Sequence, residues 1–179
     1  MKVDLTPLVR FMKHLPKDGD EELALLKCHL LVEEMLTKLI ERNLSHPEHL
    51  IDARLGFFQK MCIARSLNDL EREAWIWEAV KRLNTARNAL SHGLERERID
   101  RKLEEFVTFV EAEKGAPDPT QLSQVFGRFQ WAVFKVFSLL AVEAHFDPGA
   151  VLEIRKQTST LLTADEEQAA AAAPAEPQS

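Results

Sequence analysis

The stretch Trp75-Ile76-Trp77-Glu78-Ala79-Val80-Lys81-Arg82-Leu83-Asn84-Thr85-Ala86-Arg87-Asn88-Ala89-Leu90-Ser91 sets Ile76, Val80, Leu83 and Leu90 on one seam, at spacings of three, four and seven. That is the period of an α-helix with one buried face. Nothing in the chain alternates with period two for six residues, whereas spacings of three and four recur almost everywhere between Gly and Pro. The fold is therefore expected to be all-α, a helical bundle of about five or six helices.

Working outward, Asn68 or Asp69 is expected to cap this helix, which would run from Glu71 to Ser91 and stop at Gly93. Upstream, a short helix should begin after Asp4 or Thr6 with Pro7 in its first turn and stop at Pro16. Asp18 to Asp20 then cap a long helix to about Leu44, for which Leu23, Leu26, Leu30, Val32, Leu36, Leu39 and Ile40 supply an apolar face. Ser45-His46-Pro47-Glu48 opens the next, carrying Leu50, Leu55, Phe58, Met61 and Cys62 to about Leu67. Downstream, a fifth helix is expected from about Ile99 to Glu113. Gly115-Ala116-Pro117-Asp118-Pro119 would break the chain before a sixth, Thr120 to Phe146. The sixth is apolar on nearly every side, from Val125 and Phe126 to Leu140, so it should be central in the bundle or shared with a second subunit. After a short segment at 150–156, the low-complexity acidic tail 158–179 has nothing to pack and is expected to be disordered, leaving one domain over 1–157.

With 179 residues, 45% hydrophobic and 29% charged, the chain reads as one soluble domain rather than a fibrous or wholly disordered protein. A net charge of -6 argues against a protein that coats DNA or anionic membrane. Trp131 to Val142, interrupted by Lys135, is too short to span a bilayer. Cys28 and Cys62 lie within apolar helical patterns and read as reduced, core-facing thiols of a cytoplasmic protein.

The pattern fails at one place. Arg87 occupies a seam position where a leucine belongs, and Asn84, Asn88 and Ser91 lie beside it at helical spacing. Unpaired burial of such groups is costly, so they must be satisfied by one another, by water, by a ligand or by a partner chain. The charge points to the same spot. From Lys81 to Lys102 there are seven Lys or Arg against Glu95, Glu97 and Asp100, so this segment is cationic in an acidic chain. His92 follows Arg87 by five residues, about 140° away around an unbroken helix. The two can converge only if the helix unwinds near Gly93, or if each meets its counterpart in a second subunit.

Arg87-Asn88-Ala89-Leu90-Ser91-His92 resembles the Arg-polar-x-x-x-His signature of the HEPN domains, an all-helical superfamily of higher eukaryotes and prokaryotes. Cys28-His29-Leu30-Leu31-Val32-Glu33-Glu34-Met35-Leu36 is similar to the helix that precedes the motif helix in related bacterial proteins. Phe57-Phe58-Gln59-Lys60 and Ala64-Arg65-Ser66-Leu67 are similar to segments of the same small proteins. The resemblance covers roughly Glu21 to Phe109. It implies a metal-independent ribonuclease acting as a homodimer, a toxin or defence effector, with Arg87 and His92 as catalytic residues. His92 would take the proton of a 2′-hydroxyl, and Arg87 would hold the phosphorane through a fixed array of donors. Asn88 and Ser91 would donate to phosphate or fix a tautomer beside Asn84, while His29 and Glu33 would orient the motif from the facing helix.

Plainer readings stand beside these. Arg87 and His92 could form a basic helix end with Gly93 beyond it. Arg96, Arg98, Arg101 and Lys102 read as a solvated face paired with Glu95 and Glu97. His46 and His49 stand three apart like metal ligands, but two from one helix start are too few, so no zinc site, and no other metal or cofactor, is expected. An RNA-cleaving homodimer with RNA as substrate and an antitoxin or partner protein, a silent helical module that binds a nucleotide or partner protein, and a transcriptional regulator all stay open. The last is weakest, since no helix-turn-helix with a basic recognition helix is apparent.

Overall fold

The computed structural model of the chain describes residues 6–16, 20–68, 73–92, 96–122 and 126–145, apart from the side chains of Ile51, His92, Gln121 and His145. Among the described residues the regular structure is helical throughout: α1 (Thr6–His14), α2 (Glu21–Arg42), α3 (Phe57–Leu67), α4 (Trp75–His92), α5 (Arg96–Lys114) and α6 (Arg128–His145), with 3₁₀ turns at Pro47–Ala53 and Pro119–Gln121. All lie in one compact unit ending at His145. The expected segment 150–156 and tail 158–179 lie outside the described residues, as do Glu71 and Gly93.

Local chemistry explains most of the boundaries. Asp20 caps α2, its carboxylate accepting from the Leu23 N–H at 2.9 Å. At the other end Asn43 donates to the Leu39 carbonyl at 2.7 Å, satisfying one of the acceptors a helix leaves open. Two helices begin on the same device: Gly56 donates its N–H to Gln59 Oε1 at 2.8 Å, and Gly127 to Gln130 Oε1 at 3.0 Å. A glutamine three residues into the helix reaches back to the cap, which is half of a capping box. These two glycines move two expected starts. The third helix is not continuous from Ser45. A 3₁₀ turn ends at Arg54, which adopts φ 47, and α3 starts afresh at Phe57. The sixth begins at Arg128 rather than Thr120, leaving Phe126 outside it, and Val125 lies outside the described residues. Asn68 is a C-cap rather than an N-cap. Its amide donates to the Ala64 carbonyl at 2.7 Å, and α4 starts at Trp75.

Helix α6 packs against α2 and α5 most extensively and also touches α1 and α4. Trp131, Val133, Val136, Phe137 and Leu140 are buried among them. The Phe137 ring lies 4.8 Å from that of Phe11 in α1, and Phe129 meets Phe106 of α5 edge-on at 6.0 Å. Its half-buried strip, Phe134, Lys135, Ser138, Leu139 and Val142, is narrow. Helix α6 is therefore central within one chain, and its apolar composition does not require a second subunit. Arg128 pins its start by pairing with Glu104 at 3.1 Å and Glu111 at 2.6 Å.

Leucine-rich helices permit more than one buried register, and the expected faces shift accordingly. In α2 the buried set is Ala24, Leu25, Cys28, Leu31, Val32, Met35, Leu36, Leu39 and Ile40, while Leu23, Leu26 and Leu30 are exposed. In α3 the buried residues are Phe57, Met61 and Ala64, spaced four and three, so the adjacent Phe58 and Cys62 turn outward. Only Cys28 is a core thiol, and burial pushes its pKa up to about 12, leaving it protonated and unreactive. No helix among the described residues is long and apolar enough to cross a membrane.

Candidate functional site

The polar end of α4 is a cluster built by three helices. At 100° per residue Asn84 and Ser91 lie nearly in line along α4, with Arg87 on one flank and Asn88 on the other. Asn84 faces α2, where the His29 Nε2–H donates to its Oδ1 at 3.1 Å. The His29 ring is buried and stacks on Phe57 of α3, with centroids 4.1 Å apart and planes at 25°. One turn along α2, Glu33 forms a partly buried ion pair with Lys60 of α3 at 2.8 Å. His29 is thus satisfied by an amide, and Glu33 is committed to a lysine.

These neighbours fix the protonation of His29. Burial lowers its pKa below the ordinary value of 6.5, and the Arg87 charge pushes it the same way; the Asn84 hydrogen bond and Glu33 oppose without cancelling. A neutral imidazole with its proton on Nε2 is the donor that Asn84 Oδ1 requires. The linkage follows. A histidine whose folded pKa is depressed leaves the unfolded chain holding more protons between the folded value and about 6.5, so stability rises with pH across that window. We expect wild-type stability to be full above about pH 6.5 and to decline as the pH falls through the folded pKa. His29→Gln should flatten that segment of a urea-midpoint-against-pH curve, and an unchanged slope would show that His29 is not the group responsible.

Arg87 is half-buried and has no carboxylate within ion-pair distance among the described residues. Among the described residues its side chain makes one hydrogen bond, from Nη1 to Asn88 Oδ1 at 3.4 Å, which occupies the Asn88 carbonyl and not its amide N–H groups. Ser91 donates its hydroxyl to the Arg87 carbonyl at 3.2 Å, so only its lone pairs are open. Across the helix, Asn88 lines a notch of about 170 Å³ with Thr85, Ala89, Arg98 and Lys102, and no carboxylate lines it.

The surrounding cationic segment is largely neutralised. Arg96 pairs with Glu21, Glu22 and Asp100, each at 3.1 Å, tying the start of α5 to the start of α2 rather than to Glu97. Arg82 and Lys81 share Glu78, and Lys102 holds Glu105 at 2.6 Å. Arg87, Arg98 and Arg101 are left without an ion pair among the described residues. Helix α4 continues through His92, so it does not unwind before that position, and Arg87 and His92 occupy register positions about 140° apart. The side chain of His92 lies outside the described residues. The sequence pointed to Arg87, Asn84, Asn88 and His29 together. It gave less sign of Phe57 and Lys60, whose part in the cluster depends on how α3 meets α2.

Comparison of the chain with protein-family models, curated proteins and solved structures finds no match.

Proposed function

We propose that the chain is a homodimeric, metal-independent endoribonuclease of the HEPN type, in which Arg87 and His92 from two copies of α4 work on one RNA strand. The observation that carries this reading is Arg87. A guanidinium that is half-buried, without a carboxylate among the described residues, and set among the neutral polar groups of His29, Asn84 and Asn88 keeps its full charge available to an anion. The buried face of α4 runs through Leu83, Ala86 and Ala89, so Arg87 stands at the edge of the core, where its charge reaches the surface.

In the proposed reaction His92 accepts the proton of a 2′-hydroxyl as its oxygen attacks the adjacent phosphorus. The 5′-oxygen then leaves with a proton from His92 of the second copy, and a 2′,3′-cyclic phosphate remains. Arg87 stabilises the extra negative charge of the phosphorane. The Asn88 amide and Arg98, which line one notch, would take up a neighbouring phosphate. His29, Glu33 and Asn84 position the α4 surface from behind. Two copies enter because the register separates Arg87 from His92 within one helix.

Exposed apolar side chains on α2 and α3 support the dimeric part. Leu30, which follows the buried His29, is 64% exposed, and Phe58, which follows Phe57, is 56% exposed; Leu23 and Leu26 continue the stripe along α2. We expect the double substitution Leu30→Glu and Phe58→Glu to leave helicity unchanged and to convert a dimer to a monomer in sedimentation at micromolar concentration. A dimer that survives both charges would place the interface elsewhere.

The direct test is incubation of the purified protein with mixed single-stranded RNA, with and without chelator. Cleavage that survives chelation and leaves 2′,3′-cyclic ends supports the proposal. Absence of cleavage, with binding of a nucleotide or partner protein retained, favours a silent module of the same fold, possible for an intact motif.

A further inference from the structure

The 3₁₀ turn at Pro47–Ala53 gathers metal-ligating side chains that share no residue with the α4 cluster. His46 is the N-cap of this turn and His49 its third residue, and the turn that joins them is closed by the His49 N–H donating to the His46 carbonyl at 3.4 Å. Pro47 fixes its own φ and restricts the backbone of His46, which sets where the first side chain leaves the chain at the mouth of the turn. Glu48 lies between them. Its Oε1 is 3.1 Å from His46 Nδ1 and 3.9 Å from His49 Nε2, and the three ligand atoms all lie within 4.8 Å of one another.

We propose that His46, Glu48 and His49 form a site for a late first-row divalent metal, Zn²⁺, Ni²⁺ or Cu²⁺. Donors about 2.0–2.1 Å from a tetrahedral Zn²⁺ stand roughly 3.4 Å apart. The two measured separations to Glu48 bracket that value, so small side-chain rotations bring the set to coordination distance. Two imidazoles and one carboxylate suit this group of ions, whereas Mg²⁺ and Ca²⁺ prefer all-oxygen shells. Two imidazoles at a helix start are too few for zinc; the Glu48 carboxylate, near both rings, is the third ligand. His46, Glu48 and His49 are all well exposed, so the remaining coordination positions face solvent and take water or a ligand from another molecule.

The test uses the full chain, stripped with chelator and titrated with Zn²⁺ by calorimetry and with Co²⁺ by visible absorption. The expected result is one equivalent of Zn²⁺, and Co²⁺ d–d bands with no thiolate charge-transfer band. His46→Ala, His49→Ala and Glu48→Gln should each weaken Zn²⁺ binding by about tenfold or more, comparable to or beyond what loss of an outer-shell partner does at metal sites. Because the residues are exposed, the helical circular-dichroism signal should be the same in all four proteins. No Zn²⁺ uptake by wild type at millimolar metal overturns the proposal. So does equal affinity in the His46→Ala/His49→Ala double variant, unchanged affinity in Glu48→Gln, or a thiolate band placing the ion on cysteine.

Discussion

Arg87→Ala is expected to lower RNA cleavage by on the order of 10²-fold or more, the loss seen when one preorganised donor to a developing oxyanion is removed. His92→Ala should lower it by roughly 10²- to 10⁴-fold, through loss of proton transfer to and from the reacting oxygens. Arg87→Lys should fail to restore the rate, because an ammonium keeps the charge but lacks the planar fork that holds two phosphoryl oxygens at once. The structure makes the control sharp. Among the described residues the Arg87 side chain makes one hydrogen bond, at 3.4 Å to the neighbouring Asn88, and no ion pair to another helix, so its removal should leave the bundle standing and the helical signal intact. If Arg87 and His92 served only the basic end of a helix dipole, their loss would reduce stability by about 1 kcal/mol and change no rate. Cleavage that continues unchanged in both variants would show that the active residues lie elsewhere in the chain.

Some of this was legible in the sequence because it depends on local chemistry. Asp20 ahead of a leucine-rich run, and a lone arginine on an apolar seam, carry their meaning in residue type and spacing alone. What the sequence left open was register. Leu23, Leu26 and Leu30 match a helical face as well as Ala24, Cys28 and Leu31 do, and only packing against α6, α3 and α4 decides which is buried. The same holds for Phe57 and Phe58, where a start at Gly56 turns the first ring onto His29 and the second to the surface. The expected pairing of Arg96 with Glu95 and Glu97 weighed sequence neighbours. The observed pairing with Glu21 and Glu22 is set by the approach of two helix starts seventy-odd residues apart. For His46 and His49 the sequence offers two imidazoles, too few for a metal, and the reach of the Glu48 carboxylate toward both rings is a matter of side-chain placement that spacing does not give.

Phe137→Ala is expected to destabilise the protein by about 3–5 kcal/mol, because it removes a large buried side chain and leaves a cavity that its neighbours fill only in part. Phe137 is 1% exposed and its ring sits 4.8 Å from that of Phe11, which is itself fully buried, so α1 as well as α6 loses its packing. A domain's whole stability is about 5–15 kcal/mol, and for a chain of this size the change corresponds to a melting-temperature drop of roughly 6–20 °C. Leu30→Ala, on the exposed stripe of α2, should shift stability by no more than about 0.5 kcal/mol in the monomer. Phe137→Ala also tests the place of α6 within one chain. Inside one chain, the Phe137→Ala loss is the same at every protein concentration. At a subunit interface, the loss would shrink as protein is added and mass action restores the dimer. Melting curves of wild type and Phe137→Ala over a hundredfold range of concentration decide between them: a constant difference places α6 in the core of each chain, and a difference that narrows with concentration would move it to the interface.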